Sequence, residues 1–251
     1  MKAMLFAAGL GTRLKPLTDS MPKALVPVAG KPMLEHVLLK LKAAGCDEVV
    51  INIHHFGEQI LDFLRENDNF GLTVRISDER GELLDTGGGI RKAAPLLTAG
   101  DDAPFLVHNV DILSDTDLRA LYEQHLRSGN DATLLVSPRD TSRYLLFDAD
   151  DRLCGWLHKG TGQTKPAGFT YDPSRHHAYA FSGIHVISPS LFRFMDERWT
   201  GQFSIMDFYL SVCREARIGG CIRPDLKLLD IGKPDALKQA EDFLNRESNM
   251  H

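Results

Sequence analysis

Two short stretches combine glycines with cations at a spacing that could hold a polyphosphate. Residues 5–14 read LFAAGLGTRL and residues 22–32 read PKALVPVAGKP. Gly9 and Gly11 follow an apolar run, so the backbone can turn sharply there and approach a ligand closely. The N–H groups of Ala8, Gly9, Leu10, Gly11 and Thr12 would then line phosphate oxygens. Arg13 adds a planar fork of five donors, and Lys23 adds a point charge from a second loop. Two better-known phosphate loops are excluded. The dinucleotide fingerprint GxGxxG needs a third glycine where this chain has Leu14, and no GxxxxGK[ST] string occurs.

Carboxylates form the second set. Asp111 lies just past the apolar run Phe105–Val107, and Asp230 ends the run Leu226–Leu229. Both read as strand ends at the carboxyl edge of a sheet, where ligands bind in open α/β folds. Far apart in sequence, they could still share one metal ion. Asn109 stands two residues before Asp111 and could bond a ligand hydroxyl. The run Asp85-Thr86-Gly87-Gly88-Gly89 is a third glycine-rich element.

The elements that must position these residues alternate in the first half. Apolar runs predict strands at Lys2–Ala8, Glu48–Ile53, Leu72–Ile76 and Pro104–Val107. Helical spacing predicts helices at Met33–Ala44, Glu58–Arg65, Gly88–Leu97 and Asp115–Ser128. This order predicts a mostly parallel, Rossmann-like α/β sheet with helices on both faces. From about residue 131 the pattern becomes β-rich, with strands at Ala132–Val136, Tyr144–Phe147, Leu153–Leu157 and Ala178–Ile187. Helices Phe203–Glu215 and Pro234–Asn245 then flank a strand pair, Gly220–Arg223 and Leu226–Asp230. The stretch Lys159–His177, rich in Gly, Pro, Thr and Ser, reads as a lid or surface loop. The expectation is one domain over 1–251, with an α/β half at 1–130 and a β-rich half at 131–251.

Composition narrows the function classes. With 43% apolar and 25% charged residues, the 251-residue chain is neither disordered nor collagenous. No apolar run reaches the length of a membrane span, and the N-terminus lacks the pattern of a secretory signal, so a cytoplasmic protein is expected. The net charge of −5 argues against a nucleic-acid partner. Residues 1–45, however, carry seven Lys and Arg against Asp19 and Glu35, which suits a small polyanion. Cys46, Cys154, Cys213 and Cys221 form no CxxC pair, so reduced thiols are expected. The pairs His54-His55 and His176-His177 would point to opposite faces on a strand and make no metal site.

Taken in order, AAGLGTRL, PKALVPVAGKP, Asp85–Gly89, Asn109-Val110-Asp111 and Leu229-Asp230-Ile231-Gly232 resemble the sugar-1-phosphate nucleotidyltransferases, or NDP-sugar pyrophosphorylases. The resemblance runs from residue 1 to about 245. The compact length and the LxTGGGI form look most like the short bacterial branch that includes N-acetylmuramate-1-phosphate uridylyltransferase. The resemblance implies Mg²⁺ held by Asp111 and Asp230, with an NTP and a sugar 1-phosphate as the partners. Arg13 and Lys23 become the catalytic cations. Gly87, Gly88 and Gly89 would lie against the nucleobase, and Ser182 and Gly183 would line the sugar. Lys159 resembles a lysine that longer members place near the sugar phosphate. Val110 and Lys233 depart from the family, which favours Gly and Thr there.

Such a reaction needs no strong base, because the attacking sugar-phosphate oxygen is already an anion. It needs positioning and charge neutralisation. Uridylyl transfer is the first expectation. Guanylyl transfer to mannose- or heptose-1-phosphate, CMP transfer to an aminoalcohol phosphate such as phosphocholine, and a catalytically silent nucleotide-binding module remain open. Base choice is expected in residues 82–90, where glycine would expose backbone groups to a base edge. Sugar choice is expected around Ser182 and in Lys159–His177. The sequence leaves the oligomeric state open.

Overall fold

The computed structural model describes residues 1–232 and 234–248; Lys233 and residues 249–251 lie outside the described residues. Strand β1 (Lys2–Phe6) is followed by the small hairpin β2 (Pro27–Val28) and β3 (Lys31–Pro32), then α1 (Met33–Ala43), β4 (Glu48–Ile53), α2 (Gly57–Glu66) and β5 (Thr73–Asp78). Next come α3 (Asp85–Leu97), β6 (Phe105–Asn109), β7 (Ile112–Ser114), α4 (Leu118–Ser128) and β8 (Ala132–Ser137). The remainder is β9 (Arg143–Phe147), β10 (Leu153–His158), β11 (Thr164–Lys165), β12 (His177–Ile187), α5 (Ile205–Val212), β13 (Ile218–Ile222), β14 (Leu228–Asp230) and α6 (Pro234–Ser248).

Strands β6, β1, β4 and β5 pair in parallel, as the β-α alternation requires. In that register Phe6 stands level with Asn52 and Asn109, and Asn52 with Ser77. Four strand ends therefore reach one edge together. Alternate residues of β1 feed two cores. Ala3 and Leu5 pack with Leu38 and Leu41 of α1, Ile60 and Leu64 of α2, and Leu121 of α4. Met4 packs with Ile90, Ala93 and Leu97 of α3 and with Phe208 of α5. Helices thus cover both faces.

Beyond β6 the sheet turns antiparallel. The long strand β12 pairs with β6 along Ile184–Ile187 and with β9 along His177–Tyr179, while β8 runs along most of its length. It carries the β9-β10-β11 ribbon on one side and the β8-β13 pair on the other. Helix α4 starts where Asp117 accepts the Ala120 N–H at 2.9 Å and stops at Gly129, which has φ +64°. The helix therefore begins at Leu118, three residues later than the sequence expectation.

Three expectations change. Gly220–Arg223 and Leu226–Asp230 do not pair with each other. The first becomes β13 against β8, and the second becomes β14 against β7. The glycine-rich run 85–89 is not an open turn but the first turn of α3. The stretch 159–177 is not a bare surface loop. It contributes β11, and Phe169 sits on Gly155 so closely that a Cβ there would come within 2.8 Å of the ring. Lys165 stands 5.4 Å over the Trp156 ring and bonds Asp207 at 2.7 Å.

Among the described residues three histidines lie buried. Burial pulls His108 and His125 down to about 4 and His185 down to about 3. His125 is bonded by Thr133 and Ser188, each at 2.8 Å. His185 packs on Phe181 and Tyr209 with no partner for either ring nitrogen. The unfolded chain takes up these protons near pH 6.5 and the folded chain does not. Their contribution to stability is therefore full above that pH and is lost as pH falls toward 4, at about 1.4 kcal/mol per pH unit for each histidine. His185→Leu is expected to raise Tm and flatten this acid limb, since it removes two unpaired buried nitrogens. Thermal melts between pH 7 and pH 5 check this; a variant curve parallel to the wild type over that range contradicts it.

Candidate active site

The shared edge of β1, β4, β5 and β6 opens into a cleft of about 400 Å³, within the range of small-molecule sites. Ala8, Gly9, Lys23, Asp85, Thr86, Asn109 and Asp111, all singled out from sequence, line it. Phe6, Asn52, Glu79, Val110 and Gln202 complete much of the wall. Among them Asn52 and Glu79 were missed. The Asn52 side-chain oxygen accepts the N–H groups of Ala7 at 2.7 Å and Ala8 at 3.2 Å, while its amide donates to Glu79 at 2.8 Å. The other Glu79 oxygen accepts the Leu84 N–H at 3.1 Å. One buried pair thereby ties the first loop, the end of β4 and the approach to α3 into one unit. The available signal was a polar residue inside an otherwise apolar strand.

The Ala8 N–H, expected to line phosphate, is instead spent on Asn52, but the glycine turn after it keeps its donors free. Among the described residues the N–H groups of Gly9, Leu10 and Gly11 have no partner in the chain. A Cβ at Gly9 would meet nothing of the protein, so the backbone faces open space there. Gly11 is different. Its φ is +64°, and a Cβ would come within 2.8 Å of Thr18 and 2.9 Å of the Lys23 Cβ. Its absent side chain lets the Lys23 loop close onto the first loop. Thr12, Arg13 and Leu14 form one 3-10 turn, with Leu14 buried as its anchor and Arg13 outside. Leu10 is exposed.

Strands β7 and β14 form a two-stranded ribbon in which Asp230 pairs with Ile112, beside Asp111. The Ile231 N–H donates to the Asp111 carbonyl at 2.9 Å. This ribbon brings the two carboxylates together. A Cβ at Gly232 would lie 2.7 Å from Asp111 Oδ2, 2.7 Å from Lys23 Nζ and 2.9 Å from Asp230 Oδ1. The Lys23 ammonium is bonded to Asp111, with both side chains nearly out of solvent. Arg13 reaches Asp230 at 3.7 Å from the exposed side. Gly232 thus floors a cradle of two carboxylates and two cations. Among the described residues no group of three His, Cys, Asp or Glu could hold a metal. Two hard oxygen donors beside an open cleft fit Mg²⁺, which usually keeps phosphate and water oxygens as its other ligands.

Gly87 and Gly88 do not offer their N–H groups to a base. Both donate to the Phe203 carbonyl, at 2.8 Å and 3.2 Å. Added Cβ atoms would lie 2.3 Å from the Phe203 ring and 2.2 Å from the Gly201 carbonyl oxygen. Gly89 backs onto Glu79. The Thr86 hydroxyl accepts the Ile205 N–H at 3.0 Å. The glycines are required because the 201–205 segment is packed directly onto the first turn of α3. Asp85, Thr86 and Gln202 are what this corner presents to the cleft.

On the opposite side, Ser182 and Gly183 form a bulge where β12 changes register. Gly183 has φ +78°, and a Cβ would come within 2.7 Å of the Asn109 amide. The small residue makes room for Asn109, which itself lines the cleft. Lys159 is not brought to the cleft. It is exposed and bonded to Asp140 at 2.6 Å. Arg139, missed from sequence, donates to the Phe181 carbonyl at 2.7 Å.

The family model described as "Nucleotidyl transferase" matches residues 2–247. An N-acetylmuramate alpha-1-phosphate uridylyltransferase of Caulobacter vibrioides is 32% identical over 244 residues, covering 95% of each chain. The enzyme of the same name from Neisseria meningitidis is 32% identical over 249 residues, covering 96% of this chain and 97% of its own. A protein of Oryza sativa named "Probable mannose-1-phosphate guanylyltransferase 2" is 31% identical over 235 residues, covering 93% of this chain but 62% of its own. Among solved structures, HddC from Yersinia pseudotuberculosis, complexed with GMP-PN, matches with a TM-score of 0.74 at 22% identity over 97% of this chain and 99% of its own. UDP-glucose pyrophosphorylase from Acinetobacter baumannii matches with a TM-score of 0.74 at 18% identity, covering 96% of this chain and 91% of its own. These structures share the fold of a parallel sheet extended by an antiparallel half. The chain belongs to the nucleotidyl transferase family.

Proposed function

We propose that this protein makes an NDP-sugar and pyrophosphate from an NTP and a sugar 1-phosphate, with UTP and N-acetylmuramate 1-phosphate, or a similar hexose 1-phosphate, as the pair. The observation that carries the reaction class is the meeting of Lys23, Asp111 and Asp230 over Gly232, beside a loop with unspent N–H groups. The choice of sugar and base is supported by the two uridylyltransferases, which match this chain over nearly their whole length. The longer rice relative shares the core but spans a larger protein.

The reaction breaks the bond between the α- and β-phosphates of the NTP. A phosphate oxygen of the sugar 1-phosphate attacks the α-phosphorus, and pyrophosphate leaves with the bonding pair. The Gly9–Gly11 N–H groups and Arg13 hold the phosphate chain, and Lys23 neutralises charge as it builds on the transferred phosphate. Asn109 orients a hydroxyl from the strand edge. Asp111 and Asp230 would hold Mg²⁺, which supplies charge neutralisation at the phosphates. Residues 1–130 serve the nucleotide and 131–251 the sugar phosphate. The four free cysteines suit a reducing cytoplasm, and among the described residues no helix is long and apolar enough to cross a membrane.

Pyrophosphate release, measured for UTP, GTP, CTP and TTP against a panel of sugar 1-phosphates and phosphocholine, tests the reading. Turnover is expected to peak with UTP and N-acetylmuramate 1-phosphate and to need added Mg²⁺. A peak with GTP and mannose 1-phosphate would keep the reaction and replace the pair. Turnover with no pair would leave a silent nucleotide-binding module.

A further inference from the structure

Among the described residues Arg139 makes no ion pair. It follows β8, and one of its N–H groups is spent on the Phe181 carbonyl at 2.7 Å. The neighbouring acid is already engaged: Asp140 accepts from Lys159 at 2.6 Å and from the Tyr144 hydroxyl at 3.0 Å. A guanidinium carries five N–H donors, so four remain to be used. Phe181 immediately precedes the Ser182-Gly183 bulge that packs against Asn109 in the cleft wall. The bond to Phe181 therefore anchors the guanidinium on the sugar side of the site. Partial desolvation holds its pKa below the usual arginine range, against the opposing charge of Asp230. An arginine in that position is poised for a fork-shaped anion, since carboxylate and phosphate both match its paired donors.

We propose that Arg139 binds anionic oxygens of the sugar substrate, in the place that the family resemblance gives to Lys159. The inference rests on the functional reading above. Lys159 is diverted to Asp140, whereas Arg139 is held by the Phe181 carbonyl beside the Ser182-Gly183 bulge. The bound oxygens belong either to the 1-phosphate, which every candidate sugar carries, or to the carboxylate of an acidic sugar such as N-acetylmuramate. Both present the same chemistry to the guanidinium.

The test compares Arg139→Gln and Arg139→Lys with the wild type on N-acetylmuramate 1-phosphate, which has both anions, and on N-acetylglucosamine 1-phosphate, which has only the phosphate. Arg139→Gln is expected to raise the sugar-phosphate KM about 10- to 100-fold, the scale of a lost charge-assisted pair. The KM for UTP and the Tm are expected to stay close to the wild type. Arg139→Lys keeps the charge and is expected to recover part of the loss. An equal rise for both sugars assigns the phosphate; a rise for the muramate alone assigns the carboxylate. If the wild type works instead with GTP and mannose 1-phosphate, the same comparison on that pair reads the phosphate contact. An unchanged sugar KM overturns the proposal. So does a joint rise in both KM values with a fall in Tm, which would make Arg139 a tie between β8 and β12. A wild type that turns over no pair removes the functional reading, and this proposal with it.

Discussion

Asp111→Asn and Asp230→Asn are each expected to lower turnover by about 10³-fold or more while the protein stays folded. Both carboxylate oxygens lie within bonding reach of one point above Gly232, beside the Lys23 ammonium. Asparagine keeps the shape and one acceptor but loses the charge that holds a hard divalent cation. Metal-borne charge stabilisation is worth several kcal/mol in a transition state of this kind, hence the rate estimate. The two variants are expected to differ in stability. Asp111 is bonded to Lys23 with side chains only 14% and 11% exposed, so its loss strands a nearly buried ammonium and is expected to cost about 1–3 kcal/mol. Asp230 is 35% exposed and meets Arg13 only at 3.7 Å, an interaction worth little in water. Steady-state rates over a Mg²⁺ titration, with a thermal melt of each variant, make the comparison. Near-normal Mg²⁺-dependent rates in either variant would remove that residue from the metal site.

The parts of the fold that sequence makes legible are those with a local cause. The strand at Glu48–Ile53 and the helix from Met33 agree with the structure because a β-branched run and a 3.6-residue period each have one good solution. Pairing is another matter. Strand β7 spans only Ile112–Ser114, too short to show a period, yet it is what draws β14 and Asp230 to Asp111. Strand β12 serves β6, β8 and β9 at once, and its bulge at Ser182-Gly183 exists because Asn109 needs the room. Neither fact has a local signature. In the site, glycines and cations of the first two loops were visible as a composition out of place in an apolar run. Asn52 shows in sequence only as a polar residue inside an apolar strand, and Glu79 shows nothing, because the partners that give both their role come from distant segments. Gly87 and Gly88 were legible as special but not as what they are. A glycine that opens a backbone to a ligand and one that admits a neighbouring strand of chain look identical in sequence.

Lys23→Ala is expected to separate two effects that usually move together. The Lys23 ammonium bonds Asp111 and stands against the point where both aspartates converge. A divalent cation entering there meets its charge, so removing it is expected to tighten Mn²⁺ or Mg²⁺ binding to the nucleotide-free protein. Catalysis is expected to move the other way. A preorganised charge at the transferring phosphate typically supplies about 10²–10³ in rate, and turnover at saturating substrates is expected to fall by that factor. The preorganisation is local. Pro22 holds an extended backbone, Ala24 is fully buried, and the Leu25 N–H closes the turn onto the Pro22 carbonyl at 2.9 Å. Lys23 is thus aimed by residues that the substitution leaves in place, and the Tm is expected to change little beyond the lost ion pair. Lys23→Arg is not expected to rescue the rate, because the Lys23 side chain is only 11% exposed and a Cβ at Gly232 would already lie within 2.7 Å of its ammonium. Mn²⁺ binding followed by electron paramagnetic resonance, set beside kcat, reads both signs. Weaker metal binding together with an intact kcat would mean that Lys23 only organises Asp111 and never reaches the phosphate.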